Sequence, residues 1–317
     1  RRPLREVVDD RVDIRQDYVY DIHHGRHQLE FVDAANPVSY DKLVVATGSQ
    51  LAPERVPGLA EGGHHFYGED GAQALRDELR TVKGGQIVLS VVGTPHMCPA
   101  APLEFVFMLD DWLRERGRRE AFDITYTYPI MRVHGNEHIA EWAKPRMKKR
   151  DISVETMFNA EAVDPAADTI TSMEGTELDY DLLVAIPPHT GSDLIEAAGL
   201  GDGGWVDVDQ HTLEATGFDD IYAIGDAAQT GVPKAGSAAH YQANVVGQRI
   251  ASELRGQPAT AVYDGKTVCF IETGMDDATF VEFDYERPPE PSEPTQAMHW
   301  SKLAYNESYW LTARGLL

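Results

Sequence analysis

Two segments far apart in the chain read almost alike: YDKLVVATGS at residues 40–49 and YDLLVAIPPH at residues 180–189. Each follows a hairpin-like stretch, runs as a short apolar strand and stops at a sharp loop. An apolar run with no polar alternation, such as residues 43–46, is the pattern of a strand buried on both faces, as in a parallel sheet covered by helices. Glycine ends the first run and proline the second. The echo predicts two related α/β modules, and no repeat of fixed short period accompanies it.

The rest of the chain fits that plan. Ala72, Leu75, Leu79 and Val82 share one face of an expected helix over residues 70–82. Residues 84–117 form the clearest βα unit. It has a strand at 86–92, a loop at 93–102 with Cys98 and three prolines, and a helix at 103–116 with Phe105, Leu109, Trp112 and Leu113 as core candidates. Gly117 suits the position just past the helix end. A further strand over FDITYTYP and a helix at 138–149 follow, although Pro145 argues against continuity in the middle of that helix. DDIYAIGDAAQ predicts a strand ending at Gly225 and Asp226, and residues 238–254 a helix. TVCFIETG and ATFVEFDY predict an antiparallel pair, and the tail is amphipathic and aromatic. The fold class is therefore α/β, with antiparallel inserts and a C-terminal α+β tail. The expected division is 1–69 for part of a first module, 70–186 for the second, 187–256 for a return to the first, and 257–317 for a C-terminal segment.

Composition removes several functions. Against 28 basic residues stand 52 acidic ones, a net charge of -24. Such a surface repels phosphate backbones, so nucleic-acid binding is not expected. Only eight lysines are present, which resembles the surface of a salt-adapted cytoplasmic protein. Two cysteines make neither a disulfide scaffold nor a cysteine-rich metal site. No apolar run approaches the roughly 18 residues a membrane-spanning helix needs, and the opening RRPLREVVDD has no apolar signal core.

Several motifs carry chemistry. In LVVATGS, Ala46, Thr47 and Gly48 end a strand where backbone N–H groups face outward and glycine permits close approach of a bound group; an ordinary strand and turn would look the same. In IYAIGDAA, a buried strand delivers Gly225 and Asp226 to its carboxyl end, where open α/β sheets bind ligands. Asp226 can accept from a ribose or ribitol hydroxyl, or can simply cap the next helix. VVGTPHMCPAAPLE occupies the place of a dinucleotide loop but lacks G-x-G-x-x-G, and its prolines remove donors that a pyrophosphate needs. NAD(P)H binding by the second module is thus disfavoured. Taken alone, Cys98 is a loop thiol, Cys269 a small strand hydrophobe and Glu104 a first-turn acid. His23-His24 and His64-His65 are adjacent pairs that point opposite ways on a strand, so no metal site is read from them.

The ATG segment followed much later by an apolar run and GD is the pairing of the flavoprotein disulfide reductase superfamily. The chain resembles the sulfide:quinone oxidoreductases and the flavoprotein subunit of flavocytochrome c sulfide dehydrogenase. The likeness lies in YDKLVVATGS, CPAAPLEFVFMLDDWL, YDLLVAIPP, TLEATGFDDIYAIGDAA, PKAGSAAHYQANVVGQRI, YDGKTVCF and YWLTARG. It implies two Rossmann-like three-layer modules of FAD/NAD(P)-binding type, the first truncated, since the G-x-G-x-x-G unit that opens such proteins is not in the sequence. It implies FAD as cofactor, held by Ala46, Thr47, Gly48, Gly225, Asp226, Lys234 and Gly236. Cys98 and Cys269 become a redox pair flanking the flavin, with Glu104 moving protons, His134 as an active-site histidine and His189 a weaker candidate. Sulfide and quinone are the implied partners. The tail, with Trp300, Leu303, Tyr305, Tyr309, Trp310 and Leu311, would sit on the cytoplasmic membrane face. Its alternative is packing on the body or on a dimer partner in a homo-oligomer. Two other functions stay open: an NAD(P)H-dependent quinone or disulfide oxidoreductase, and a non-catalytic remnant acting as an interaction protein.

Overall fold

A computed structural model describes residues 2–34 and 36–313. The last residues of the aromatic tail, 314–317, lie outside the described residues. The chain opens with an antiparallel meander of β1 (Val19–His23), β2 (Gln28–Phe31) and β3 (Val38–Ser39), followed by the short strands β4 (Leu43–Val45) and β5 (Gln50–Leu51). A one-turn helix α1 (Leu59–Gly62) and α2 (Glu69–Thr81) lead into β6 (Gly85–Val91), α3 (Ala101–Glu115), β7 (Phe122–Tyr128), α4 (Glu137–Lys149) and β8 (Ile152–Thr156). An antiparallel insert of β9 (Ala160–Asp164), β10 (Thr169–Ser172) and β11 (Glu177–Asp179) precedes β12 (Leu182–Ile186). After β13 (His189–Thr190) come α5 (Asp193–Ala197), β14 (Val206–Asp207), β15 (Ile221–Ala223), β16 (Ala228–Gln229) and α6 (Gly236–Leu254). The hairpin β17 (Thr267–Glu272) and β18 (Ala278–Phe283) and the helix α7 (Gln296–Ala313) complete it.

The second module is a parallel four-stranded sheet in the order β12-β6-β7-β8. Ile87, Val88, Leu89 and Val91 of β6 are fully buried between flanking layers, which is why this strand shows no alternation. Removing each such side chain from water contributes roughly 1.5–3 kcal/mol. In α3 the buried face is Val106, Phe107, Leu109 and Leu113. Phe105 and Trp112, expected in the core, are half-buried at its margin. In α2 only Leu75 is buried. Helix α4 runs through Pro145 unbroken. Its N-cap Asn136 accepts from the Ile139 N–H at 3.3 Å, and Ile139, Ala140, Ala143 and Met147 bury one face. That packing offsets the roughly 3 kcal/mol an internal proline costs.

The two echoed strands lie in different sheets: β12 pairs with β6, and β4 pairs with β15 in parallel. Directly after them, β5 and β13 pair antiparallel, Leu51 opposite His189 and Gln50 opposite Thr190. The loops that follow the two copies thus join to form the bridge between modules. The β17–β18 hairpin packs against both α3 and α7.

Candidate active site

The parallel pairing of β4 with β15 sets Val45 beside Ala223, and the Ile224 N–H continues the ladder to the Val45 carbonyl at 3.0 Å. Residues 46–49 and 225–226 therefore emerge side by side at the carboxyl ends of two strands. Ser49 Oγ donates to Asp226 Oδ2 at 2.8 Å, which ties the ATGS turn to the GD turn. Asp226 sits in a 3-10 turn rather than capping a helix; α6 begins only at Gly236. The Gly225 N–H donates to Gln242 Oε1 at 2.7 Å. Gly48 has φ +71° and Gly225 φ +66°, a left-handed backbone suited to glycine. A Cβ added at Gly48 or Gly236 would meet no atom within 4 Å. Bare backbone thus faces open space beside Ala46 and Thr47, which are exposed. Such a cradle fits the close approach of a flavin dinucleotide.

Lys234 is half-buried. Its ammonium donates to the Asp226 carbonyl and lies 3.7 Å from the Trp205 ring centroid. Burial pushes its pKa down to about 8, with the Asp226 carboxylate pulling the other way. The Lys234 carbonyl accepts from the Cys98 N–H at 2.8 Å, so the PKAG loop and the cysteine loop are joined.

Cys98 has φ +45°, a strained backbone for a residue with a side chain. The Ala101 N–H turns back to its carbonyl at 2.8 Å. With the N–H groups of Cys98 and Ala101 both engaged internally and prolines at 95, 99 and 102, this loop offers little to a pyrophosphate. Cys269 lies mid-strand in β17 opposite Val281. That strand is clamped at both ends. The Val268 carbonyl accepts from Ser237 Oγ of α6 at 2.7 Å, and the Glu272 N–H donates to Glu104 Oε1 of α3 at 2.9 Å.

These tethers draw the segments of the two cysteines together; both are free thiols, and Cys98 is near enough for its charge to act on Cys269. Burial first, then the Cys98 and Glu104 charges, push the Cys269 thiol up to about 12, and Lys302 opposes them. Burial, then Glu104, push Cys98 up to about 11, against the Ala101 N–H and Lys302. The Cys98 side chain is nevertheless exposed while protein crowds it on most sides. Water reaching that exposed side tempers the desolvation.

His134 is buried beside that loop. Its Nδ1 accepts from the Asn136 N–H at 2.9 Å, its Nε2 has no partner, and burial pushes its pKa down to about 4. Two more histidines join it. Burial likewise pushes His96 down to about 4, and it pushes His189 down. Their rings lie 6.2 Å apart, and each also has an unpartnered Nε2. Tyr67 packs its ring edge-on to His189 at 5.2 Å and donates to the Met97 carbonyl at 2.8 Å. A cavity of about 820 Å³ opens here, lined in part by His96, His134, Tyr128, Trp205, Lys234 and Tyr285. His96, Tyr67 and Trp205 were not singled out from the sequence; TPHM gives no spacing signal, and only the fold draws them together. Among the described residues, no group of three or more His, Cys, Asp or Glu side chains could hold a metal ion. Nor is any described helix long and apolar enough to cross a membrane.

Residues 118–243 match the family model for pyridine nucleotide-disulphide oxidoreductases. The chain is similar to the mitochondrial sulfide:quinone oxidoreductase of Mus musculus, 26% identical over 300 residues that cover 91% of this chain and 66% of that protein. It thus spans just under two thirds of that relative's length. The X-ray structure of sulfide:quinone oxidoreductase from Aquifex aeolicus superposes with a TM-score of 0.78 at 19% identity, covering 94% of this chain and 75% of that one. NDH2 from Plasmodium falciparum, solved in complex with NADH, has the same fold, with a TM-score of 0.68 at 13% identity over 95% of this chain and 81% of that one. The fold and these matches support assignment to the pyridine nucleotide-disulphide oxidoreductase superfamily. Sulfide:quinone oxidoreductases of Dictyostelium discoideum and Schizosaccharomyces pombe are each 25% identical to the chain as well.

Proposed function

We propose that the chain oxidises sulfide to persulfide or polysulfide sulfur and passes the electrons through FAD to a quinone, with Cys98 and Cys269 as the redox pair. The observation that carries this reading is the meeting of the two thiols beside the ATG and GD turns, held by Lys234, Ser237 and Glu104. Ala46, Thr47, Gly48, Gly225, Asp226, Lys234 and Gly236 would hold FAD, with the Lys234 cation beside its electron-accepting ring. Bound FAD would supply a two-electron acceptor that quinone reoxidises. In this reading residues 70–186 are the module that brings Cys98, and residues 257–317 the segment that brings Cys269.

The protein's own step is thiol–disulfide exchange. The free thiols must first lose two electrons and two protons to form a Cys98–Cys269 disulfide, with the acceptor that bound FAD would supply taking the electrons. HS⁻ would then attack one sulfur, the S–S bond would break, the attacked cysteine would become a persulfide and the other would leave as a thiolate. Glu104, next to both thiols, would take or return the proton. His134, neutral and with Nε2 free, would donate or accept a hydrogen bond in the same cleft. Helix α7 exposes Trp300, Tyr305, Tyr309 and Leu311, which suits a shallow seat at the headgroup–water boundary of a membrane where quinone resides. A net charge of -24 leaves apolar burial, not polybasic attraction, as the force of that contact.

The test is substitution. Cys98→Ser and Cys269→Ser should each leave the protein folded and abolish reduction of bound flavin by sulfide, a loss of about a thousandfold or more. Full bleaching by either variant would remove the assignment.

A further inference from the structure

Helix α7 contains one lysine, and its ammonium points inward. Lys302 Nζ pairs with Glu104 Oε1 and lies 3.6 Å from Glu272 Oε1. Glu272 is buried at the end of β17, and its other oxygen meets His299 Nδ1 at 3.0 Å, also from α7. Glu104 accepts the Glu272 N–H as well, so three elements close on one carboxylate: the first turn of α3, the end of β17 and one face of α7. Cys98 precedes that turn of α3, and Cys269 lies three residues before Glu272 on the same strand.

Charge makes this arrangement consequential. Glu104 places a carboxylate near both thiols, and its charge opposes thiolate formation at each. The charged and titratable groups near the thiols are Glu104 from α3, Tyr67 from the segment before α2, and Lys302 and Tyr305 from α7; Glu272 and His299 pair with each other and adjoin Lys302. Lys302 acts on both thiols in the direction of ionisation, and it alone among the causes acting on Cys269 does so. Lys234, the other nearby lysine, is occupied by the Asp226 carbonyl and Trp205.

We propose that Lys302 is a positioning residue of the thiol pair: its ammonium fixes the Glu104 carboxylate and supplies the positive charge that lets Cys98 and Cys269 ionise beside that acid. This rests on the reading of the cysteines as a reactive pair, but it can be tested without sulfide. The rate of iodoacetamide alkylation at each cysteine is followed against pH by peptide mass spectrometry on the full chain. The proteins compared are the unsubstituted one, Lys302→Gln, Lys302→Arg, Glu104→Gln and the double variant Lys302→Gln/Glu104→Gln.

Removing a neighbouring opposite charge typically moves a thiol by about one unit or more, so Lys302→Gln should cut alkylation of both cysteines about tenfold at fixed pH and shift both profiles upward. Lys302→Arg should restore most of the rate, and the double variant should return toward the unsubstituted profile, because the acid that Lys302 balances is gone. Superimposed profiles for Lys302→Gln and the unsubstituted protein would overturn the proposal. So would faster alkylation at every pH without a shift, the signature of a helix that has merely come off the body. If Lys302→Gln fails to fold, Glu104→Gln decides: its profile must move to lower pH, and an unmoved one overturns the proposal. A shift in alkylation with no flavin reduction by sulfide would leave this inference standing and remove the functional reading.

Discussion

The carboxyl ends of the parallel strands are built in opposite ways in the two modules. After β4 and β15 the chain turns on Gly48 and Gly225, both with positive φ, and Gly48 leaves open space where a side chain would be. After β6 the equivalent turn carries Pro95, Pro99 and Pro102, spends the Cys98 and Ala101 N–H groups on the protein itself, and presents a thiol. The first arrangement leaves backbone free to receive a dinucleotide. The second commits those donors to the protein and holds a cysteine there instead. A shared sheet end therefore dictates where a ligand can approach, while the turn residues decide which chemistry meets it.

Substitutions can pull these two ends apart. The largest effect is expected at Asp226, whose carboxylate receives the Ser49 hydroxyl. Asp226→Ala should lower FAD affinity by roughly ten- to a hundredfold, the worth of hydrogen bonds to a charged group, while alkylation of Cys98 and Cys269 in the flavin-free protein stays unchanged. Equilibrium binding of FAD followed by flavin fluorescence reads the first, and mass spectrometry the second. If the thiols respond as strongly as the flavin, the two ends are one unit and the contrast fails.

Gly48→Ala sharpens the point with a built-in control. Gly48 and Gly117 have similar φ, +71° and +61°, and a Cβ at either meets nothing within 4 Å. Alanine at each should cost about 1 kcal/mol of stability through backbone strain. Only Gly48→Ala should also lose FAD affinity, by about tenfold. Equal flavin binding in both variants would show that the space beside Gly48 receives no ligand.

The smallest effect concerns the histidines that pack against the cysteine loop. Burial holds His96 and His134 near a pKa of about 4, below their ordinary value of 6.5. The unfolded chain then binds more protons between those limits, so stability is full above pH 6.5 and is lost as pH falls toward 4. Urea midpoints measured between pH 7 and pH 4.5 should fall, and His96→Gln should flatten part of that slope. A midpoint independent of pH across this window would mean that the histidines are solvated.

The sequence made much of this legible, and its failures have physical reasons. The strand at 221–223 and the two turn motifs were readable because burial on both faces and left-handed turns leave local signatures. The apolar run at 43–46 misled: Val45 is buried, but Val44 of the same strand and Ala46 just past it are exposed. Helix α4 defied its own Pro145 because the packing of Ile139, Ala143 and Met147 outweighs a local preference. Phe105 and Trp112 were misplaced into the core because a helical period defines a face but not how wide a face its neighbours cover. His96, Glu272 and Lys302 could not be picked out, since each takes its meaning from a partner on another element. The one hint for Lys302 was a solitary lysine in an aromatic tail.

The central claim is that this cleft takes electrons from sulfide through a thiol pair and not from a nicotinamide. The most direct measurement is the flavin absorbance band of the FAD-loaded protein, followed anaerobically after adding sulfide and, in a parallel sample, NADH. The account predicts rapid bleaching by sulfide, with NADH leaving the band intact. Bleaching by NADH with no response to sulfide would contradict it.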